Sequence, residues 1–230
     1  MPVANVRGTS FGHQTKICYY GSIIFENGEG VSATMQNFLR TYINIVEKIT
    51  NGFGGITVYL VIITIIIGFY NVAARYIGFY INAQLSSNLF IEMQWYLYSL
   101  VFLWGFAYAL KNGVNVRVDF IYANWPKKRK AMLDFWGHLF FLLPFTIMGI
   151  YVTVSPVLTS WGLRPNGEWG TWEMSPDPSG LPRAPIKTMI IVAFVLLLLQ
   201  TIAELIKLWW TIQGKDESGV AELDAPLRIE

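Results

Sequence analysis

The residues that could do chemistry in this sequence are few and do not cluster. His138 is the one histidine inside an apolar run, and His13 lies near the N-terminus. A membrane haem needs two axial ligands and a metal site needs several donors, so neither is predicted here. Glu204 and Lys207 stand three residues apart near the end of another apolar run, and we expect a pair that reaches toward solvent. The sequence therefore predicts no catalytic, metal-binding or cofactor-binding residue and no enzyme.

Other charged residues stand at the ends of apolar runs, where they can anchor a helix or join it to a neighbour. Arg75 and Glu92 flank one connection, so they are candidates to bridge the first and second runs. Arg117 and Asp119 are candidates to hold the following segment against another helix or a partner protein. Gly105 has a small residue four positions later, a spacing that permits close helix approach. Ordinary anchoring at the water interface accounts for the four charged residues without such contacts, and contact with another span or a partner is the sharper alternative.

The elements that carry these residues are long uncharged runs. The chain is 53% hydrophobic and 14% charged, against roughly 25% charged in a soluble domain. Four runs of 26, 18, 29 and 16 residues contain no Asp, Glu, Lys or Arg: 49–74, 93–110, 135–163 and 188–203. A helix crosses the hydrocarbon core with ~20 residues. The predicted fold is an all-α integral membrane protein with four transmembrane helices plus amphipathic interfacial helices.

The predicted organisation is a flexible N-terminal tail over 1–30, a four-helix membrane domain over 31–212 and a cytoplasmic tail over 213–230. The expected spans are about 53–76, 92–111, 135–161 and 187–210. The expected interfacial segments are about 33–50 and 114–131, and an extracytoplasmic loop covers 162–187. The segment 33–50 has helical spacing that suits either a helix on the bilayer surface or an extension of the first span.

The distribution of basic residues predicts the orientation. Of the 17 Lys and Arg residues, 13 fall in the N-terminal region, the middle loop and the C-terminal tail. Cytoplasmic segments are rich in Lys and Arg, so both termini are expected in the cytoplasm. Five tryptophans near span ends are candidate interfacial anchors: Trp95, Trp125, Trp136, Trp209 and Trp210. The net charge of +2 is too small to indicate a nucleic-acid partner.

No span carries a charge at its middle, where a transport pathway would place ionisable groups or broken helices. By itself the chain is therefore not expected to carry a solute. A self-sufficient channel would likewise need a polar pore lining that these runs lack.

Several motifs, taken in order, resemble a known family. NVAARY at 71–76 closes the first span, Glu92 opens the second, and FLWGFAY follows at 102–108. VRVD at 116–119 then leads into a basic loop. Together they resemble the small membrane subunit of tripartite ATP-independent periplasmic (TRAP) transporters. DPSGLPRAPIK at 177–187 is similar to the branch associated with mannitol or chloroaromatic acids.

The resemblance implies a supporting role in a symport system of the bacterial inner membrane. In such transporters a large multi-span permease subunit holds the substrate and sodium sites, and a periplasmic substrate-binding protein delivers an organic acid. The small subunit resembles a fixed scaffold and needs no cofactor of its own. The alternative from another class is an integral anchor subunit of a membrane redox complex, which would need a haem or quinone site.

Overall fold

The computed structural model describes residues 30–114 and 125–214, and every regular element in these two ranges is helical. In chain order the elements are α1 (Gly30–Ile81), α2 (Asn88–Lys111), α3 (Lys127–Gly137), a π-helical turn (His138–Leu142), α4 (Leu143–Ser160) and α5 (Arg183–Ile212). Of the predicted tails over 1–30 and 213–230, residues 1–29 and 215–230 lie outside the described residues, as do Arg117 and Asp119.

The chain divides into two compact units, Met1–Asn37 and Phe38–Glu230. The described part of the first unit is the beginning of α1. The second unit contains the rest of α1 and the other helices, and all the packing contacts below lie within it.

Four helical stretches are long and apolar enough to cross a membrane: Thr34–Ile81, Asn88–Lys111, Lys127–Ser160 and Arg183–Ile212. The prediction of an all-helical chain with four such spans is confirmed. Residues 33–50 are continuous with the first span, because α1 is one helix of 52 residues. Within the predicted segment 114–131, residues 115–124 lie outside the described part, and α3 begins at Lys127 and runs on into the third span.

The third span passes through the π-helical turn without a break. Leu143 N–H bonds to the His138 carbonyl across this turn. Pro144 follows and has no N–H with which to continue the α-helical ladder. The wider turn keeps α3 and α4 in one membrane-crossing stretch despite the proline.

Helix α5 is the central helix of the bundle. In its most apolar stretch of 18 residues, 33% is buried, against 6% to 11% in the corresponding stretches of the other three spans. It packs against α2, α3 and α4, and side chains of α1 also reach it. At one end Ile43 and Val46 of α1 pack on Ala203, and a little further along Ala131 of α3 packs on Leu208. The other helices therefore surround α5 and keep much of their apolar surface outward.

Glycines set the closest approaches between spans, but Gly105 is not one of them. A Cβ atom on Gly54 would collide with the ring of Tyr108 in α2, and one on Gly149 would lie 2.5 Å from the Phe194 ring in α5. A Cβ atom on Gly105 would meet nothing within 4 Å. The close approaches of α1 to α2 and of α4 to α5 therefore depend on Gly54 and Gly149. Gly105 lies on a side of α2 that the described residues leave open.

The connection from α4 to α5, residues 161–182, folds back on itself, and we call it the cap. Two isolated bridges pair Leu163 with Trp169 and Met174 with Pro182. Gly162 has φ +101, and a Cβ atom there would lie 2.5 Å from the Gly170 carbonyl oxygen, so only glycine fits. Trp161 packs edge-on against Trp172 with ring centroids 4.9 Å apart. The cap is thus an ordered structure in its own right.

We predict that Gly54→Ala destabilises the bundle, whereas Gly55→Ala does not. A Cβ on Gly55 would meet nothing within 4 Å, so the pair differs only in the collision with Tyr108. Overpacking of this kind costs about 1–3 kcal/mol, while alanine gains up to ~1 kcal/mol of helix propensity at either site. Thermal unfolding in detergent should show a lower midpoint for Gly54→Ala alone, and equal midpoints would contradict the close contact.

Candidate functional site: polar clusters at the two ends of the bundle

The cap is fastened to α2 by Glu92. This glutamate is only 3% exposed, and its carboxylate accepts hydrogen bonds from the Ser175 hydroxyl and the Leu181 backbone N–H. Ser175 and Leu181 are also joined to each other, with N–H to carbonyl oxygen at 3.2 Å. A buried carboxylate needs such donors. Glu92 therefore holds both sides of the loop against the beginning of the second span.

A second carboxylate, Glu173, joins the cap to the third and fourth spans. It accepts from the Ser160 hydroxyl at 2.6 Å and from the Lys187 ammonium at 2.5 Å. Its backbone N–H also bonds to the Ser160 carbonyl at 2.9 Å, and its carbonyl accepts from Arg183 N–H at 2.9 Å. The hydrogen bonds from Lys187 and Ser160 hold the pKa of Glu173 below its usual value, although burial acts in the opposite direction. The group is thus an ionised link between α4 and α5.

At the other end of the bundle, a chain of buried polar groups lies between α1 and α5. Gln200 and Thr50 have at most 1% of their surface exposed. The Thr50 hydroxyl donates to Gln200 Oε1 at 2.9 Å, and Gln200 Nε2 donates to Glu204 Oε1 at 2.8 Å. The oxygen and the nitrogen of the Gln200 side-chain amide therefore each have a hydrogen-bond partner. The hydroxyl and amide fix which turn of α1 faces which turn of α5.

Two lysines complete this arrangement, which we call the basic-end network. Lys207 donates to Glu204 at 3.2 Å and forms an ion pair with Glu47 of α1. Lys111, at the end of α2, lies 4.0 Å from Glu47 and donates to Asn51 at 2.7 Å. The network therefore connects α1, α2 and α5. Its members are Glu47, Thr50, Asn51, Lys111, Gln200, Glu204 and Lys207.

The expected Glu204–Lys207 pair is present but does not reach toward solvent. Lys207 and Glu204 are 8% and 9% exposed, because the extended first helix covers their side of α5. The spacing of three residues was enough to predict the pair. It gave no information about Glu47, 160 positions earlier in the sequence, which makes the contact an interhelical one.

We predict that Lys207→Met destabilises the bundle, since Glu47 and Glu204 would be left facing each other without their shared cation. Removing one partner of a buried ion pair costs about 3–5 kcal/mol, and we expect the lower end because Glu47 keeps 24% of its side chain exposed. Thermal unfolding in detergent measures the loss.

Lys128→Met, an exposed lysine of α3, serves as the matched control and should change little. Adding Glu204→Gln to Lys207→Met should restore part of the loss, because one of the facing carboxylates is removed. A loss no larger than that of the control would contradict the role of Lys207.

The two residues proposed to bridge the first and second spans lie apart. Glu92 is engaged by the cap. Arg75 is exposed and lines a polar pocket. Arg75 and Glu92 do not form an ion pair with each other. The sequence placed them at the same end of the bundle but could not show that the loop after α4 would fold over Glu92. Gly105 lies on an open side of α2, as described above.

The candidate anchors are mostly outward-facing. Four of the five tryptophans are exposed: Trp95, Trp125, Trp136 and Trp209. Trp210 is half-buried beneath Arg40, whose guanidinium carbon lies 5.5 Å from the ring centroid. Exposed tryptophans near span ends fit the headgroup region of a bilayer.

Sequence reasoning missed Glu47, Thr50, Gln200, Ser175 and Glu173. Gln200 carried one usable signal, since it is an amide that directly follows an apolar run from 189 to 199, and a buried amide requires partners. The others are ordinary residues of a helix or loop, and only their positions in space give them a role.

Four apolar helices joined by polar contacts at their ends define a multi-span membrane protein without a charged centre in its described spans. The family described as "Tripartite ATP-independent periplasmic transporters, DctQ component" matches residues 64–211. This range covers more than half of the 230 residues, so the chain belongs to that family. No curated protein and no solved structure matches the chain.

Family membership confirms the resemblance at its coarser level. The chain is the small permease subunit of a TRAP transporter and a multi-pass protein of the inner membrane. The family is a transporter component and not an enzyme family. It gives no support to the mannitol or chloroaromatic branch in particular, and none to the redox-anchor alternative.

Proposed function

We propose that this chain is the scaffold subunit of a sodium-coupled TRAP transporter that imports an organic acid. In this proposal the large permease subunit holds the substrate and sodium sites, and a periplasmic binding protein delivers the substrate. The chain itself needs no cofactor. Membership of the DctQ family supports the small-subunit role, whereas sodium coupling and the organic acid rest on the resemblance of the sequence motifs.

The main support for the scaffold role is that the charged side chains described above bind other groups of the same chain. In the basic-end network and at the cap, the charged groups bind one another or bind loop donors, and so hold the spans in register. The middle of each span is uncharged. A transport pathway needs ionisable or polar groups at mid-depth, so these described spans support a fixed frame.

The outward surfaces suit a membrane partner. Large apolar side chains of α1 and α4 remain exposed, among them Ile65, Phe69 and Tyr151. The open side of α2 at Gly105 would allow close approach of a partner helix. We place the large permease subunit against this side of α2.

We predict that affinity purification of the chain from its native membranes recovers a multi-span permease, and that deletion of the chain abolishes uptake. Gly105→Leu should lower recovery of the permease about tenfold, which corresponds to a loss of ~1.4 kcal/mol, because a leucine blocks the close approach. The thermal midpoint of the isolated chain should not change, since a Cβ atom on Gly105 meets nothing within 4 Å in the described part of the chain.

Gly55→Leu is the matched control, because a Cβ atom there also meets nothing within 4 Å among the described residues. Recovery of the chain alone, with uptake unaffected by its deletion, would contradict the scaffold role. Equal recovery of the permease with Gly105→Leu and Gly55→Leu would show instead that the interface does not lie on this side of α2.

We further propose that both termini lie in the cytoplasm and that the cap lies in the periplasm. The basic residues from Lys127 to Lys130 stand at the end opposite the cap, as the bias of basic residues toward the cytoplasm requires.

Thiol labelling tests this orientation in a Cys18→Ser background, which removes the single cysteine of the sequence. Asn166→Cys lies in the exposed part of the cap and Lys128→Cys lies at the beginning of α3. An impermeant reagent added to cells with a permeabilised outer membrane should label Asn166→Cys, and label Lys128→Cys only after lysis. The reverse pattern would invert the orientation.

A further inference from the structure

A polar pocket of about 570 Å³ lies at the cap end, between the last turns of α1 and the first turn of α2. A turn of the cap at 178–179 closes one side. The polar side chains that α1, α2 and their connection contribute to its wall are those of Asn71, Arg75, Gln84, Ser86, Ser87 and Asn88. None of the described residues in the wall is acidic. The pocket therefore combines one cation with neutral hydrogen-bonding groups and has the size of a small-ligand site.

Arg75 supplies a guanidinium group that has no counter-ion among the described residues. It makes no hydrogen bond or ion pair with any described residue. The nearest candidate identified from the sequence, Glu92, is occupied by Ser175 and Leu181. A guanidinium presents a planar set of donors that matches phosphate and carboxylate oxygens.

Asn71 gives a second and independent indication of a ligand. It stands one helical turn before Arg75, lines the same pocket and is only 8% exposed. Its Oδ1 atom has no hydrogen-bond partner among the described residues. A buried amide oxygen without a donor is unfavourable. A hydroxyl or ammonium group entering the pocket would remove that penalty after a small rotation of the amide.

The beginning of α2 adds a favourable dipole. Ser87 is the N-cap, with its hydroxyl oxygen accepting from Leu89 N–H at 3.3 Å, and the first turn of this 24-residue helix contains no acidic residue. The N-terminus of a helix favours negative charge. Arg75 and the helix dipole thus both favour an anion in the pocket.

The depth of the pocket indicates the source of the anion. The uncharged run of α1 covers residues 49–74, and Arg75 is the first charge after it. A run of ~20 residues spans the hydrocarbon core, so Arg75 lies where the hydrocarbon gives way to lipid headgroups. Ile91 adds an apolar patch to the pocket wall.

We propose that this pocket binds the phosphate group of a phospholipid headgroup, with Arg75 as its counter-ion. Asn71 accepts a hydrogen bond from the hydroxyl or ammonium group that the headgroup carries beyond its phosphate. The proposal does not depend on the scaffold role, since it concerns residues within this chain alone.

Titration of the purified full-length chain in a maltoside detergent tests the proposal. One arm adds short-chain phosphatidylglycerol, a second adds inorganic phosphate, and sodium chloride at matched ionic strength is the blank. A ligand that binds the folded state raises the thermal midpoint. The lipid should stabilise the wild type, and Arg75→Gln should weaken its apparent affinity about tenfold, as expected for loss of one charge-assisted contact.

The control and rescue variants separate binding from folding. Arg164→Gln makes the same change at an exposed arginine of the cap outside the pocket and should bind lipid like the wild type. Arg75→Lys keeps the charge and should retain part of the affinity. Asn71→Leu should weaken lipid binding while leaving the lipid-free thermal midpoint unchanged or higher, because it removes an unpaired buried amide.

Lipid affinities that are equal in the wild type, Arg75→Gln and Arg164→Gln would overturn the proposal. Stabilisation by inorganic phosphate that depends on Arg75, without stabilisation by the lipid, would overturn the lipid source. An effect of Asn71→Leu on the lipid-free midpoint alone would show that Asn71 has only a structural role and would overturn its part in binding.

Discussion

Helix α5 must bury the long polar side chains of Gln200, Glu204 and Lys207 inside an apolar bundle, and the positions of the other helices follow from that constraint. Gln200, Glu204 and Lys207 lie on one side of α5 and within a few turns of its end. Polar groups in hydrocarbon need internal partners, because neither lipid nor water can supply them there. Thr50 and Glu47 of α1 provide those partners. The long first helix is thereby held in one register along α5.

At the opposite end of the bundle, the polar groups of the cap also need hydrogen-bond partners within the protein. An irregular loop leaves backbone groups without a regular ladder, and this one bonds several of them to carboxylates and carbonyls of the neighbouring spans. Glu92 accepts from the loop on one side, and Glu173 reaches from the loop to Ser160 and Lys187 on the other. The bundle is therefore closed by charge at both ends and by apolar packing between them. Buried ion pairs add little net stability against an apolar alternative, but they are well suited to fixing register.

This use of charge has a functional consequence. Groups that are committed to holding spans together are not available to bind and release a solute. Within the described part of the chain, Arg75 and Asn71 are the exception at the cap end, since Arg75 has no counter-ion there and the Asn71 amide oxygen has no donor. In the roles proposed above, a fixed frame with apolar sides and an anion pocket at headgroup level would seat a larger permease subunit in the bilayer.

The sequence by itself determined the class of the protein. Uncharged runs of sufficient length predicted four helical spans, and the motifs around Arg75, Glu92 and residues 102–108 predicted the family, because both are properties of neighbouring residues. The Glu204–Lys207 pair was predictable for the same reason. Only the tertiary structure decided that α1 covers this pair, that Glu92 binds the cap and not Arg75, and that Gly54, not Gly105, meets a neighbouring helix. The two residues in each of these contacts are separated by between 54 and 160 positions in the sequence. Their formation depends on how the helices rotate and cross, and helical spacing along one chain segment does not encode that.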